Sequence, residues 1–200
     1  MKRFLVLIIV LFVFSCKPNA EELPVLSYKI NAEGEKETYA ITYSGFTNQD
    51  GEQVLTETIK DKIVIANFFF TRCPSICPPM RTQLIEIANE FLTDDAVLLI
   101  SHSIDPKNDT IDILKNYSDA TEIPSSKWLF VNSSEGNTKQ QAAQFMTNFK
   151  PNETGTDFYH SSYVALVDKQ QQIRGFYNIL IPEEITRLKE DIQKFLVSSN

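Results

Sequence analysis

Residues 63–70 read IVIANFFF, and no other stretch narrows the possible folds as much. Eight residues suit a strand better than a buried helix, and β-branched and aromatic side chains fill both alternating sets. A strand that is apolar on both faces has to be covered on both faces. That is the situation of a parallel sheet with helices packed above and below it. The chain continues TRCPSICPPM, a short loop carrying two cysteines four residues apart. Pro78 and Pro79 then stand where the first turn of a helix tolerates proline. Met80, Leu84, Ile87, Ala88 and Phe91 follow at helical spacing, so the loop joins a buried strand to an amphipathic helix.

The same alternation recurs downstream. A second buried strand is expected over residues 96–101 and a helix over 110–120. A third strand is expected over 128–131 and a second such helix over 137–149, with Ala142, Phe145, Met146 and Phe149 aligned. Residues 162–168 and 173–178 form an expected hairpin, and Pro182 opens a final helix carrying Ile185, Leu188, Ile192, Phe195 and Leu196. Upstream, residues 25–40 alternate weakly as a strand or hairpin, and FTNQDGEQV holds the turn signal Asp50-Gly51. This order is α/β, with a central mixed sheet flanked by helices. A parallel centre with a C-terminal antiparallel hairpin is the thioredoxin-like arrangement. Sites in such sheets lie beyond the carboxyl ends of the central strands, where Cys73 and Cys77 fall.

The N-terminus reads MKRFLVLIIVLFVFSCKPNA. Its apolar run is the length of a signal-peptide core and too short to span a bilayer, which takes about 20 residues. Val13-Phe14-Ser15-Cys16 looks like a bacterial lipobox, in which the cysteine becomes the lipid-modified first residue. The expected organisation is a lipoprotein signal peptide over residues 1–15, a tether over 16–24 and one domain over 25–200. The domain would then be held outside the cytoplasm at the bacterial cell membrane. Cys73 and Cys77 would remain as its only thiols, too few for a disulfide framework. The net charge of −7 becomes more acidic once Lys2 and Arg3 leave with the leader, which argues against a nucleic-acid surface. The absence of a long heptad pattern points to a monomer.

The cysteine pair has two chemistries open to it. Cys77 sits at the start of a helix, where the backbone dipole favours thiolate. Thiolate serves both disulfide exchange and soft-metal binding. A metal needs a further ligand, and the chain has only two histidines, His102 and His160. His160 lies directly before the strand expected over 162–168, beside the cysteine loop in this type of sheet. Two thiolates and an imidazole suit Cu(I) and tolerate Cu(II) or zinc. On residue types alone, a copper site and a thiol-disulfide oxidoreductase both remain open.

Three motifs together carry a resemblance. FFFTRCPSICPPM, ISHSIDPKNDT and YHSSYVALVD, in that order, resemble the Sco/SenC family of copper proteins. GFTNQDGEQV is similar to the family's opening hairpin. The resemblance implies a thioredoxin fold tethered at the membrane and one copper ion per chain, held by Cys73, Cys77 and His160. It implies a part in assembling the dinuclear copper centre of cytochrome c oxidase subunit II, by copper delivery, by reduction of the target's cysteines, or both. Another extracytoplasmic copper or thiol protein is the alternative partner. Ser75 and Tyr159 stand where many members have aspartate.

Other residues have plainer expected roles. His102 is expected as a partly exposed histidine at a strand end. Asp105 and Asp109 are expected as turn and helix-cap residues, with bracing of the cysteine loop as the alternative. Met80 and Met146 are soft donors in principle, but both fall on apolar helical faces and are expected in the core.

Overall fold

The computed structural model describes residues 22–153 and 158–197. Strands β1 (Tyr28–Ile30) and β2 (Lys36–Thr38) pair as a hairpin. Strands β3 (Phe46–Asn48) and β4 (Gln53–Val54) form a second hairpin, turned by Gly51 at φ 81°. Then come β5 (Ile63–Phe69), α1 (Cys77–Glu90), β6 (Val97–Ser103), α2 (Ile111–Asp119), β7 (Trp128–Asn132) and α3 (Glu135–Gln144). The short β8 (Lys150–Pro151) and β9 (Phe158–Tyr159) pair with each other. Strands β10 (Tyr163–Val167) and β11 (Ile173–Asn178) and helix α4 (Pro182–Val197) complete the described chain.

Seven strands make one sheet in the order β11-β10-β5-β6-β7-β3-β4. Its centre, β5-β6-β7, is parallel, and the flanking pairs are antiparallel. All seven residues of β5 are buried, as an apolar run on both faces requires. Full burial of a side chain such as Ile63 or Ile65 contributes about 1.5–3 kcal/mol. Phe69, Met80, Leu84, Trp128 and Phe130 meet around one small space between the sheet and α1, with Tyr117 of α2 closing it. Trp128 stacks on Phe130 at 4.6 Å between ring centroids. Helix α4 lies against β11, and α2 lies against β7.

The segment before β1 is pinned at one end of this sheet. Leu26 donates its N–H to the Ile173 carbonyl at 2.7 Å, and Arg174 donates to the Leu23 carbonyl while pairing with buried Asp168 at 2.8 Å. Ile173 pairs with Val167, and Val167 with Val64, so this is the end where β5 starts. The cysteine loop leaves the other end. Six strand steps of about 3.3 Å separate the two by roughly 20 Å.

The α/β order and the parallel centre agree with the sequence, but α3 does not. It begins two residues earlier than expected, capped by the Ser134 side chain, and ends at Gln144 rather than at 149. Thr147 donates back to the Ala142 carbonyl and Met146 to that of Ala143, with Met146 at φ 53°. That is a Schellman closure with methionine at the left-handed position glycine normally takes, so no glycine marks the stop. Met146 consequently turns out of the core and is 47% exposed, while Met80 is buried as expected.

Candidate metal centre

Strand β5 delivers Phe70 into the core, and residues 71–76 cross to α1. The Cys73 N–H donates to the Phe70 carbonyl at 3.2 Å, which turns the loop back over the strand end. Cys77 is the first residue of α1, with Pro78 and Pro79 in its opening turn. Its N–H points at the Cys73 sulfur, 3.4 Å away. Both thiols are free and buried.

His160 enters from the loop between β9 and β10. Its Nε2 lies 3.9 Å from the Cys73 Sγ and 3.6 Å from the Cys77 Sγ. The three donor atoms all fall within 4.8 Å of one another. Metal–sulfur and metal–nitrogen bonds of about 2.3 and 2.0 Å meeting at 120° put sulfur and nitrogen roughly 3.7 Å apart. The donors therefore already stand at the separations that a shared ion imposes. Nδ1 of His160 is 3.3 Å from the Ser161 carbonyl, so a proton held there leaves the Nε2 lone pair facing the thiols. The Phe70 ring meets the imidazole edge-on at 5.7 Å and limits its rotation. Two sulfurs and one imidazole are a soft donor set, suited to Cu(I).

The two thiols differ, and in the opposite sense to the helix-dipole expectation. Burial alone raises the Cys73 thiol, but hydrogen bonds from the backbone of Cys77 and Ser75 outweigh it and bring its pKa below the ordinary value. Burial pushes the Cys77 thiol strongly up, further than the Phe70 backbone contact can offset. Cys73, not Cys77, is the more acidic sulfur because its position gathers the loop's N–H groups.

Asp105 closes the expected turn, its carbonyl accepting from the Asn108 N–H at 3.0 Å and the Asp109 N–H at 2.9 Å, but the expectation that Asp109 caps the helix needs correcting. Thr110, not Asp109, caps α2. The fully buried Asp109 carboxylate accepts from Ser103 Oγ at 2.6 Å, from Thr71 Oγ1 at 2.5 Å and from the Thr71 N–H at 3.2 Å. Asp105 pairs with Arg72 at 2.6 Å and accepts from Asn108. Both aspartates brace the cysteine loop. Sequence reasoning missed Thr71 and Ser103 as partners, and the only available signal was the nearness of Asp109 to a strand end facing the loop.

His102 is likewise not a half-exposed strand end. It is 0% exposed, stacked between Phe68 at 4.6 Å and Tyr43 at 5.5 Å. Its Nε2 contacts Tyr43 Oη and its Nδ1 contacts the Asn67 carbonyl, each at 2.9 Å. Burial lowers its pKa to about 4, against a smaller opposing contribution from the Asn67 carbonyl. Both nitrogens are engaged, and it is no part of the cysteine–histidine cluster. Ser75 Oγ lies 3.8 Å from the Cys73 sulfur, and Tyr159 is exposed with Lys150 over its ring. Neither supplies a carboxylate to the site.

The SCO1/SenC family profile matches residues 31–196. This chain belongs to the SCO1/SenC family. The match begins upstream of the earliest of the motifs that carry the resemblance, GFTNQDGEQV at residues 45–54. A SCO1 protein homolog from Bacillus subtilis is 29% identical over 143 residues, covering 70% of this chain and 74% of the relative. A solved SCO1/SenC family lipoprotein from Bacillus anthracis superposes with a TM-score of 0.74 at 22% identity, over 88% of this chain and 99% of its own. BsSco, described as a member of the Sco family of cytochrome c oxidase assembly proteins with a disulfide switch, gives 0.68 at 25% identity over 86% and 95%. Arabidopsis thaliana ScoI, solved with copper bound, gives 0.65 at 21% identity over 78% and 99%. These likenesses agree with the thioredoxin-like architecture expected from the order of elements. Among the described residues no helix is long and apolar enough to cross a membrane.

Proposed function

We propose that this SCO1/SenC chain is a copper chaperone in the assembly of the dinuclear copper centre of cytochrome c oxidase. Cys73, Cys77 and His160 are its ligands, and one ion is carried per chain. The observation that carries the proposal is the convergence of three soft-metal donors at ligand-to-ligand separations. Copper is the cargo, and an acceptor's donor atoms would replace the two thiolates one at a time. The partial exposure of His160 fits such an exchange, since one side of the site is open to an incoming group. Titrating the reduced full-length chain in detergent with Cu(I) is expected to saturate at one equivalent per chain. Saturation that persists unchanged after Cys73→Ser and Cys77→Ser substitution would refute the ligand assignment.

A second reading uses the same dithiol as a reductant for a partner's cysteines. The lowered Cys73 thiol beside a buried Cys77 favours it, as does the disulfide switch described for BsSco. Reduction of an oxidised subunit II peptide at the same rate with and without copper would select this reading over copper delivery.

The signal peptide over residues 1–15 and the lipid on Cys16 belong to this proposal too, and both lie outside the described residues. The pinned segment at Leu23 and Leu26 supports a definite consequence. A lipid on Cys16 would hold the domain by the end opposite the cysteine loop and leave the copper site facing away from the bilayer. Expressed in a bacterium, the full chain is expected to enter the detergent phase on Triton X-114 partition, and mass spectrometry to find Cys16 as its lipid-bearing first residue. A Cys16 that carries no lipid rules out the anchor.

A further inference from the structure

We infer that Asp109 is a positioning residue for the metal site, acting through Thr71 on the cysteine loop. The inference rests on the copper reading above and adds a residue that is not itself a ligand.

Asp109 stands at the junction of three elements. Its carboxylate takes the Ser103 hydroxyl from the last residue of β6. Its own carbonyl accepts from Asn132 Nδ2, at the end of β7. The same carboxylate holds both donors of Thr71, two residues before Cys73. The first two contacts fix Asp109 to the rigid centre of the sheet, and the third passes that rigidity to the loop. A loop is otherwise a poor platform for ligands that must be held within about half an ångström. Four donors, counting the Asn132 amide on the carbonyl, converge on one buried residue. Hydrogen bonds to an ionised acceptor are about twice as strong as neutral ones.

The arrangement divides the work in the loop. Thr71 N–H and hydroxyl define where the chain leaves β5. The Phe70 carbonyl then sets the Cys73 N–H, and the Cys77 N–H reaches back to the Cys73 sulfur. Releasing Thr71 therefore loosens the first of these links and lets Cys73 drift from Cys77 and His160. His160 itself hangs from a different loop, and the other brace on this side, the Arg72–Asp105 pair, is made by a half-exposed arginine and is the weaker of the two.

Four variants of the full-length chain in detergent test this: Thr71→Val, Thr71→Ser, Asp109→Asn and the Thr71→Val/Asp109→Asn double. Thr71 is only partly buried, so its valine variant keeps the fold. Two quantities are read for each: Cu(II) affinity with its thiolate-to-metal absorption band, and, without metal, the rate at which iodoacetamide alkylates the Cys73 peptide. Loss of an outer partner typically weakens metal binding about 10–100-fold. Thr71→Val is expected to weaken Cu(II) by at least about tenfold, shift the band and change the alkylation rate several-fold. Thr71→Ser should return all three to wild type. The double variant should be no worse than the worse single one, because both changes break the same link. Wild-type affinity, band and alkylation rate in Thr71→Val overturn the inference, as does a fully additive double variant. If the wild type binds no copper, the copper reading fails instead, and the alkylation rates still decide whether Asp109 positions the loop.

Discussion

His160→Ala is expected to weaken Cu(II) binding by at least about 100-fold, and Cu(I) binding by less. A ligand's own loss exceeds the about 10–100-fold effect of losing an outer partner. The asymmetry follows from the donor set. Cu(I) is satisfied by soft thiolates, and Cys73 and Cys77 remain in place. Cu(II) favours nitrogen and higher coordination, and the imidazole is the only nitrogen donor in the cluster. The fold should be indifferent to the change. His160 is half-buried in a loop, and its contacts include the two sulfurs, the neighbouring Ser161 carbonyl and the edge of Phe70. The unfolding free energy is therefore expected to fall by no more than about 1 kcal/mol, the ordinary cost of a point substitution. Competition titration with a chelator, run beside thermal unfolding, checks both halves. Cu(II) affinity within tenfold of wild type removes His160 from the ligand set, whatever happens to Cu(I).

The second large effect belongs to His102 and is read in stability. Buried His102 has a folded pKa of about 4, against 6.5 when the chain is unfolded. Above pH 6.5 the imidazole is neutral in both states and contributes no pH dependence. As pH falls below 6.5 the unfolded chain takes up a proton that the folded one refuses, so stability is lost progressively until about pH 4. The full difference is about 3 kcal/mol at 1.36 kcal/mol per unit. That is a large share of a domain's typical 5–15 kcal/mol. The cause is the cage of Phe68, Tyr43, Phe46 and Phe145 around the ring, which offers a charge no water. Denaturant unfolding between pH 7.5 and 4.5 should show this loss, and His102→Gln should show much less of it. Identical pH profiles for the two proteins would mean that His102 is not the group responsible.

Much of the architecture was legible because burial imposes periodicity. The two-faced apolar run ahead of the cysteines had to be a central strand, and the 3.6-residue spacing after it had to be a helix. The ends were harder to see. Helix α3 stops at Gln144 because Met146 adopts a left-handed backbone, which has no compositional mark when the residue is not glycine. Phe149 keeps a helical spacing from Phe145 by coincidence of burial, since it reaches the core from beyond the helix.

The ligand types were written in the chain: two cysteines at the start of a helix, one histidine ahead of a strand, and a segment with two aspartates between them. What tertiary structure alone decided was which groups meet and in which state. Asp109 braces the cysteine loop because β6 ends beside β5, a pairing between residues far apart in sequence. His102 is neutral and caged because three separate segments close around it. Cys73 rather than Cys77 is the acidic thiol because the loop folds its N–H groups onto one sulfur, and burial outweighs the helix dipole at the other. Residue chemistry is a local property that the order of amino acids states directly. Solvent exclusion and hydrogen-bond partnership depend on segments that meet only when the sheet has formed.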